Sequence, residues 1–468
     1  MSREAAIAAA GALLQDGTLW RVLARRVAWP TESQEPARAP LLRDYLEEEM
    51  RPDLAAMGFA VEVLDNPLGA APFLVARRQE GADLPTALLY GHGDVVRGME
   101  GRWQEGRDPW RLEAAGERWY GRGSADNKGQ YTLNLEALRQ VIAARGGRLG
   151  FNAVLLLEMG EEVGSPGLLE FCEAQRERLA ADVLLASDGP RLAADRPTLF
   201  LGSRGCFTCT LKVEARARGY HSGNWGGVIR NPATIIANAV AALVDGRGRL
   251  RVPAMLPPAI PPAVRAALDG LPVGGGKDDP AVDPDWGAEG LSPAERLYGW
   301  NTLEVLAMGA ADPAAPVNAV PPSASAVLQL RYVKGTDTDA LLPAVRARLD
   351  AAGFAEVALE ANREEAAPAT RLDPDSPWVR WALGSMERSL GRAPTLLPNI
   401  GGSLPNHVFA DTLGLPTLWL PHSYAACGQH APDEHLLVPV AREALAMMAG
   451  LFWDLGEDGE RRLPRRGA

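Results

Sequence analysis

Three short apolar runs constrain the 468-residue chain most, because each stops just short of residues that can bind a cation. TALLY at 86–90 leads into His92 and Asp94. AVLLL at 153–157 leads into Glu161 and Glu162, and VLLA at 183–186 leads into Asp188. Runs of four or five apolar residues suit strands buried on both faces. Residues 131–144 read as a helix between the first two runs. Leu42, Tyr45, Leu46, Met50, Leu54 and Met57 recur at helical spacing before them, with a kink or break expected at Pro52. Strands alternating with helices predict an α/β domain with a mainly parallel sheet. In open sheets of this kind ligands gather beyond the carboxyl ends of the strands. Three strand ends would therefore deliver His, Glu and Asp, which zinc accepts at catalytic sites, to one edge. Each acid taken singly is more often a helix cap or a solvated loop residue.

The pattern changes in the middle of the chain. Alternating stretches at 208–213 and 324–332 read as half-buried strands, and 235–244 and 339–352 as helices. Prolines 257, 258, 261 and 262 interrupt regular structure between them. Helical spacing returns at 378–390, a buried strand is expected at 416–420 (PTLWL), and 441–454 reads as a closing helix. The expected organisation is a first domain over 1–202 and 368–468, with a smaller α+β domain of ferredoxin-like type inserted at 203–367.

Bulk properties exclude several functions. A formal net charge of −11 argues against a nucleic-acid partner and offers no basic face to a membrane. No apolar run reaches the length of a membrane span. Four cysteines (Cys172, Cys206, Cys209 and Cys427) are too few for a disulfide framework and predict reduced thiols in a cytoplasmic protein. Cys206 and Cys209 form a C-x-x-C, but no second pair completes a zinc-finger set. A G-x-S-x-G nucleophile elbow is absent.

Longer motifs occur in a fixed order: GHGDVV at 91–96, YGRGSADNKGQ at 120–130, EMGEEVGSPG at 158–167, SDG at 187–189, HSGNWGG at 221–227, GGSLP at 401–405 and HAPDE at 430–434. Together they resemble the di-zinc metallopeptidase family of carnosinase, aminoacylase, acetylornithine deacetylase, succinyl-diaminopimelate desuccinylase and glutamate carboxypeptidase. The carnosinase-like dipeptidase branch is the nearest. The resemblance spans about residues 85 to 435.

The resemblance implies two divalent metal ions, zinc with cobalt or manganese as alternatives. It implies His92 and Asp188 on one ion, Glu162 and His430 on the other, and Asp126 bridging both. Asp94 would orient the His92 imidazole. Glu161 would act as general base on metal-activated water. His221 would stabilise the developing oxyanion, in many relatives from a neighbouring subunit. Arg331, Asn318 and Ser403 would contact substrate, Arg331 through its carboxylate. The implied reaction is hydrolysis of an amide bond in dipeptides or short peptides with a free C-terminus, with an N-acyl-amino-acid deacylase as the alternative. The inserted domain would serve as lid and homodimer interface. Among the histidines, His430 is preferred to His422 because it opens the H-x-P-x-E pattern, while His407 and His435 read as structural or exposed. The chain departs from its relatives at Arg97-Gly98, where they often carry proline, and at Met159-Gly160, whose order is swapped.

Overall fold

The computed structural model describes residues 2–275 and 279–464. The chain divides into two compact units. The first comprises Met1–Leu201, Leu372–Leu397 and Val408–Ala468, and the second comprises Gly202–Arg371 and Pro398–His407.

The first unit is built on an eight-stranded sheet. Its strands are β1 (Ala60–Leu64), β2 (Phe73–Arg78), β3 (Thr86–His92), β4 (Asn152–Glu158), β5 (Val183–Ala186), β6 (Thr198–Phe200), β7 (Thr395–Leu397) and β8 (Thr417–Trp419). They lie in the order β1-β2-β4-β3-β5-β8-β6-β7. The four central strands β4, β3, β5 and β8 run parallel. β1 and β2 extend the sheet antiparallel on one side, and β6 meets β8 antiparallel on the other. The sheet is therefore mixed with a parallel centre, in keeping with the mainly parallel sheet expected. Every residue of β4, β5 and β8 is buried, as continuous apolar runs require when both faces are covered.

Helices Arg3–Gln15, Lys128–Ala144, Pro377–Leu390 and Val438–Arg462 pack against one another, and Lys128–Ala144 also packs on β3. Their apolar faces join the sheet in one core that includes Leu89, Leu133, Leu155, Leu185, Leu445 and Phe452. The chain passes from β3 to β4 on one side of β3, then returns across it to β5 on the other side. That reversal opens a crevice at the carboxyl ends of β3, β4 and β5.

Pro52 does not break the segment around it. Ala39–Asp44, Tyr45–Met50 and Arg51–Ala56 follow without interruption, the middle piece wound as a π-helix. Pro52 falls in the first turn of the last piece, where a missing N–H costs little. The N-terminal helix is divided at Gly17, whose φ of 73° separates Arg3–Gln15 from Thr18–Val27.

The second unit carries a four-stranded antiparallel sheet from Gly205–Glu214, Thr302–Gly309, Ser323–Tyr332 and Ala358–Ala367. Numbered one to four along the chain, these strands stand in the order 2-3-1-4. Helix Pro232–Leu243 follows the first and helix Thr338–Ala351 follows the third, which gives the βαββαβ ferredoxin-like arrangement. Alternate residues of Ser323–Tyr332 are buried. They pack with Ile236, Ala239, Leu243, Leu341, Val345 and Leu349 of the two helices.

Residues 398–407, expected in the first domain, belong to the second unit instead. Ile400 N–H donates to the Gly202 carbonyl and Arg204 N–H to that of Ile400, while the Asn399 side chain donates to the Tyr298 carbonyl. These backbone bonds leave no periodicity in the sequence from which the grouping could be read. Among the described residues no helix is long and apolar enough to cross a membrane.

Candidate metal centre

His92 is the last residue of β3, and its ring is fully buried. Its Nδ1 lies 3.1 Å from the Asp94 carbonyl oxygen and 3.4 Å from the Asp94 carboxylate. A proton on Nδ1 therefore leaves Nε2 facing outward, 3.2 Å from Asp126 Oδ1 and 3.7 Å from Asp188 Oδ2. The Asp94 carboxylate also accepts the backbone N–H of Glu161 at 3.2 Å and of Glu162 at 3.1 Å. One side chain thus connects the end of β3 to the short 3-10 turn Glu161–Val163 that follows β4. Gly93 between them is pressed closely, because a Cβ there would stand 2.7 Å from the Met159 sulfur.

Asp126 lies in the loop that enters helix Lys128–Ala144. The loop folds tightly over the first helical turn: Gly129 N–H donates to the Gly123 carbonyl, and a Cβ at Gly129 would meet the Ser124 carbonyl oxygen at 1.8 Å. Only glycine fits there. Asn127 ties the loop to two strand ends, accepting from His92 N–H and donating to the Ser187 carbonyl.

The two Asp126 oxygens face different partners. Oδ1 faces His92 Nε2, and Oδ2 lies 3.1 Å from His430 Nε2. His430 Nε2 is also 3.0 Å from Glu162 Oε2. Two groups result, His92–Asp126–Asp188 and Asp126–Glu162–His430, each with its donor atoms within 4.8 Å of one another. Asp188 uses Oδ1 to accept Gly189 N–H at 2.6 Å. Its Oδ2 and the Glu162 Oε1 are buried without a hydrogen-bond partner. Unsatisfied buried carboxylate oxygens beside outward-facing imidazole nitrogens are the donor set of a divalent cation. Glu161 stands beside both groups and in neither, with Oε2 3.9 Å from His92 Nε2.

Crowding of the acids shifts their titration. Burial, then the Asp126 charge, pushes the Asp188 carboxyl up to about 6. Burial pushes Glu162 up to about 7 against the pull of its His430 hydrogen bond. Burial and the neighbouring carboxylates hold Glu161 well above the usual range, with the His92 charge opposing. Burial also works against ionised Asp126, but hydrogen bonds from His430 and His92 outweigh it and keep that carboxyl low. Hydrogen bonds to Asp126 and Glu162 raise His430 to about 10.

Glu434 supports both loops. Its carboxylate accepts the backbone N–H groups of Gly123, Ala125 and Asp126 and a 2.7 Å bond from Arg122. The contribution of Arg122 was missed, although the residue lies inside the G-R-G-S motif. His422 stands outside both groups, buried, with Nε2 bonded to Ser187 Oγ and Asn134 Oδ1. His435 is buried as well and bonds Tyr424 OH and the Asp433 carbonyl.

The remaining candidates lie in the second unit. His221 is exposed at the start of the short helix Ser222–Trp225, and its Nδ1 accepts Gly223 N–H. Asn318 is exposed beside it and accepts Ser222 N–H through its carbonyl. Arg331 Nη1 donates to Ser403 Oγ at 3.0 Å, and Ser403 Oγ donates to the Arg204 carbonyl at 2.9 Å.

Comparison with known proteins bears on this arrangement. The profile described as peptidase family M20/M25/M40 matches residues 88–454. The cysteinylglycine-S-conjugate dipeptidase of Corynebacterium striatum is 30% identical over 351 residues, covering 72% of this chain and 73% of that protein. The solved structure of the di-peptidase Dug1p from Saccharomyces cerevisiae superposes with a TM-score of 0.75 at 21% identity, over 97% of this chain and 99% of that one. Human carnosine dipeptidase 1 gives 0.73 at 20% identity, over the same shares. The chain belongs to peptidase family M20/M25/M40 and is a metal-dependent hydrolase.

Replacing Glu434 by Gln should weaken metal binding by about 10- to 100-fold, as losses of supporting hydrogen bonds do. Equilibrium dialysis with zinc or manganese measures it. An unchanged affinity would show that the two loops hold their places without this carboxylate.

Proposed function

We propose that this protein is a dipeptidase that binds two divalent metal ions, zinc foremost, and cleaves dipeptides or short peptides with a free C-terminal carboxylate. The observation that carries the reading is the division of the Asp126 oxygens between two imidazoles, each with its own further carboxylate. A carboxylate bridging two cations needs that arrangement. His92, Asp188 and Asp126 would hold one ion, and Glu162, His430 and Asp126 the other. When bound, such ions acidify water and polarise a carbonyl.

The protein's own groups supply the proton transfers. Glu161 would take a proton from the attacking water and return it to the leaving nitrogen, which suits a carboxyl that burial and neighbouring acids raise above the usual range and that stands outside both ligand groups. Asp94 keeps Glu161 in place through its backbone N–H and keeps the His92 tautomer correct. In the second unit, His221 is assigned to the developing oxyanion, Asn318 to substrate contact, and Arg331 and Ser403 to the peptide carboxylate. The relatives named above act as dipeptidases by their descriptions, which supports peptide over N-acyl substrates. The buried, unbridged thiols of Cys172, Cys209 and Cys427 support a cytoplasmic setting.

A homodimer through the second unit is part of the same reading. Its support is the edge strand Thr302–Gly309, which exposes Val305, Leu306 and Met308 by 43, 55 and 50%. An apolar open edge of that length is normally paired or covered.

Metal-loaded protein should hydrolyse a panel of dipeptides, Cys-Gly and β-Ala-His among them, well ahead of N-acetyl amino acids. Preference for the acetylated compounds would overturn the dipeptidase reading in favour of a deacylase. Glu161→Ala should lower kcat by at least about 100-fold with two metals still bound by elemental analysis. Substantial turnover in that variant would remove Glu161 from the chemistry. Sedimentation equilibrium should give twice the chain mass, with Leu306→Lys shifting it toward monomer. A monomeric parent protein would dispose of the dimer.

A further inference from the structure

Three amide side chains, Asn127, Gln130 and Asn134, stand on one face of helix Lys128–Ala144 and its N-cap, because three- and four-residue spacings return to the same side of a helix. All three are buried. Asn127 accepts His92 N–H through Oδ1 and donates to the Ser187 carbonyl at 2.8 Å. Gln130 accepts His422 N–H at 2.7 Å. Its Nε2 donates to the Ala125 carbonyl at 3.0 Å and faces the Gly189 carbonyl at 3.4 Å. Asn134 donates to Ser187 Oγ at 2.9 Å, and its Oδ1 lies 2.9 Å from His422 Nε2. Every amide oxygen and nitrogen of the row thus has a partner.

Those partners fall on one half of the metal centre. Asp188 sits between Ser187 and Gly189, and the row holds both neighbours. Ala125 precedes Asp126, and His92 is held through its own N–H. Every member of the His92–Asp126–Asp188 group is therefore bonded to the row or adjacent in sequence to a residue that is. Among the described residues, none of these amide bonds reaches the Glu161–Val163 turn or His430. Asp94 holds that turn instead, and His430 is exposed. Gln130 has the widest reach, because one nitrogen serves the carbonyl before Asp126 and the carbonyl after Asp188. An amide suits the place because it offers donor and acceptor without charge. A carboxylate there would set an oxygen against two carbonyl oxygens and add charge beside acids already crowded together.

We propose that Gln130 is a positioning residue for one cation only, the one assigned to His92, Asp126 and Asp188. By tying the Ala125 and Gly189 carbonyls to a single amide nitrogen it sets how far apart Asp126 and Asp188 stand, and it takes no part in holding the cation assigned to Glu162 and His430. This rests on the two-ion reading and deepens it: the halves of the centre have separate supports, so one can be loosened while the other stays.

The test titrates metal-free protein with zinc by calorimetry and records thermal unfolding without and with zinc. Gln130→Met removes donor and acceptor at similar length, whereas Gln130→Glu keeps the acceptor for His422 N–H and loses the donor. Asp188→Asn and Glu162→Gln mark which binding step belongs to which half. Both Gln130 variants should weaken the step that Asp188→Asn weakens, by about 10- to 100-fold, and leave the step that Glu162→Gln weakens within about twofold of the parent. The rise in unfolding temperature on adding zinc should shrink in both. Equal drops in the metal-free and zinc-loaded forms, with both steps unchanged, would reduce Gln130 to a brace of the core and overturn the proposal. Equal weakening of the two steps would overturn it as well. Should Gln130→Met fail to fold, the isosteric Gln130→Glu decides alone, and loss of folding in both variants even with zinc would overturn it too. A parent that takes up a single ion would count against the two-ion reading, and the proposal would then be judged by whether Gln130→Glu weakens that ion as Asp188→Asn does.

Discussion

One buried carboxylate holds the centre of the first unit together. Glu434 takes three backbone N–H groups from the loop carrying Asp126 and a bond from Arg122, while it stands four residues beyond His430. The two loops are about 300 residues apart in sequence and are joined where His435–Leu437 pairs antiparallel with Arg118–Tyr120, with Gly121 N–H donating to the Glu434 carbonyl. That clamp, with the Asn127 bonds to His92 and Ser187, holds the loop from which the Asp126 oxygens divide between His92 and His430. A buried acid with four donors is worth far more than an exposed ion pair, because each donor would otherwise lack a partner. Asp94 does the corresponding work on the other side, joining the end of β3 to the Glu161–Val163 turn.

The legible part of the fold was the part with period and apolar runs. TALLY, AVLLL and VLLA became β3, β4 and β5, and their following residues meet at one edge as the strand-end argument expected. The alternation at 324–332 became a strand with every second residue buried. The antiparallel additions to the sheet were not legible, because β1 is only partly buried and β6 and β7 are three residues each, whereas PTLWL at 416–420 reads as a strand and became β8 in the parallel centre. Short strands leave no countable pattern. At Pro52 the chain is not broken, because a π-helical piece ends where the next helical turn begins and puts the ring where no N–H is needed.

The site divides along the same line. Strand-end placement after the apolar runs singled out His92, Glu162 and Asp188 only as candidates, whereas Asp126 and His430 were reached through whole motifs, since each lies in an irregular loop and His430 takes a φ of 59°. The choice between His430 and His422 is a matter of what lies nearby in space. His422 is enclosed by Ser187 and Asn134, whereas His430 faces two carboxylates.

The crowding of acids has a thermodynamic consequence for the whole chain. Asp126, Glu161, Glu162 and Asp188 are held within a small, water-poor volume, and folding must pay for their mutual repulsion and lost hydration. A cation that binds only the folded form returns that cost by mass action, by an amount growing with the logarithm of its free concentration. The centre that would do the chemistry is thus also a counterweight in the protein's stability. The supply of divalent metal would govern how much folded protein there is, as well as how fast each molecule works.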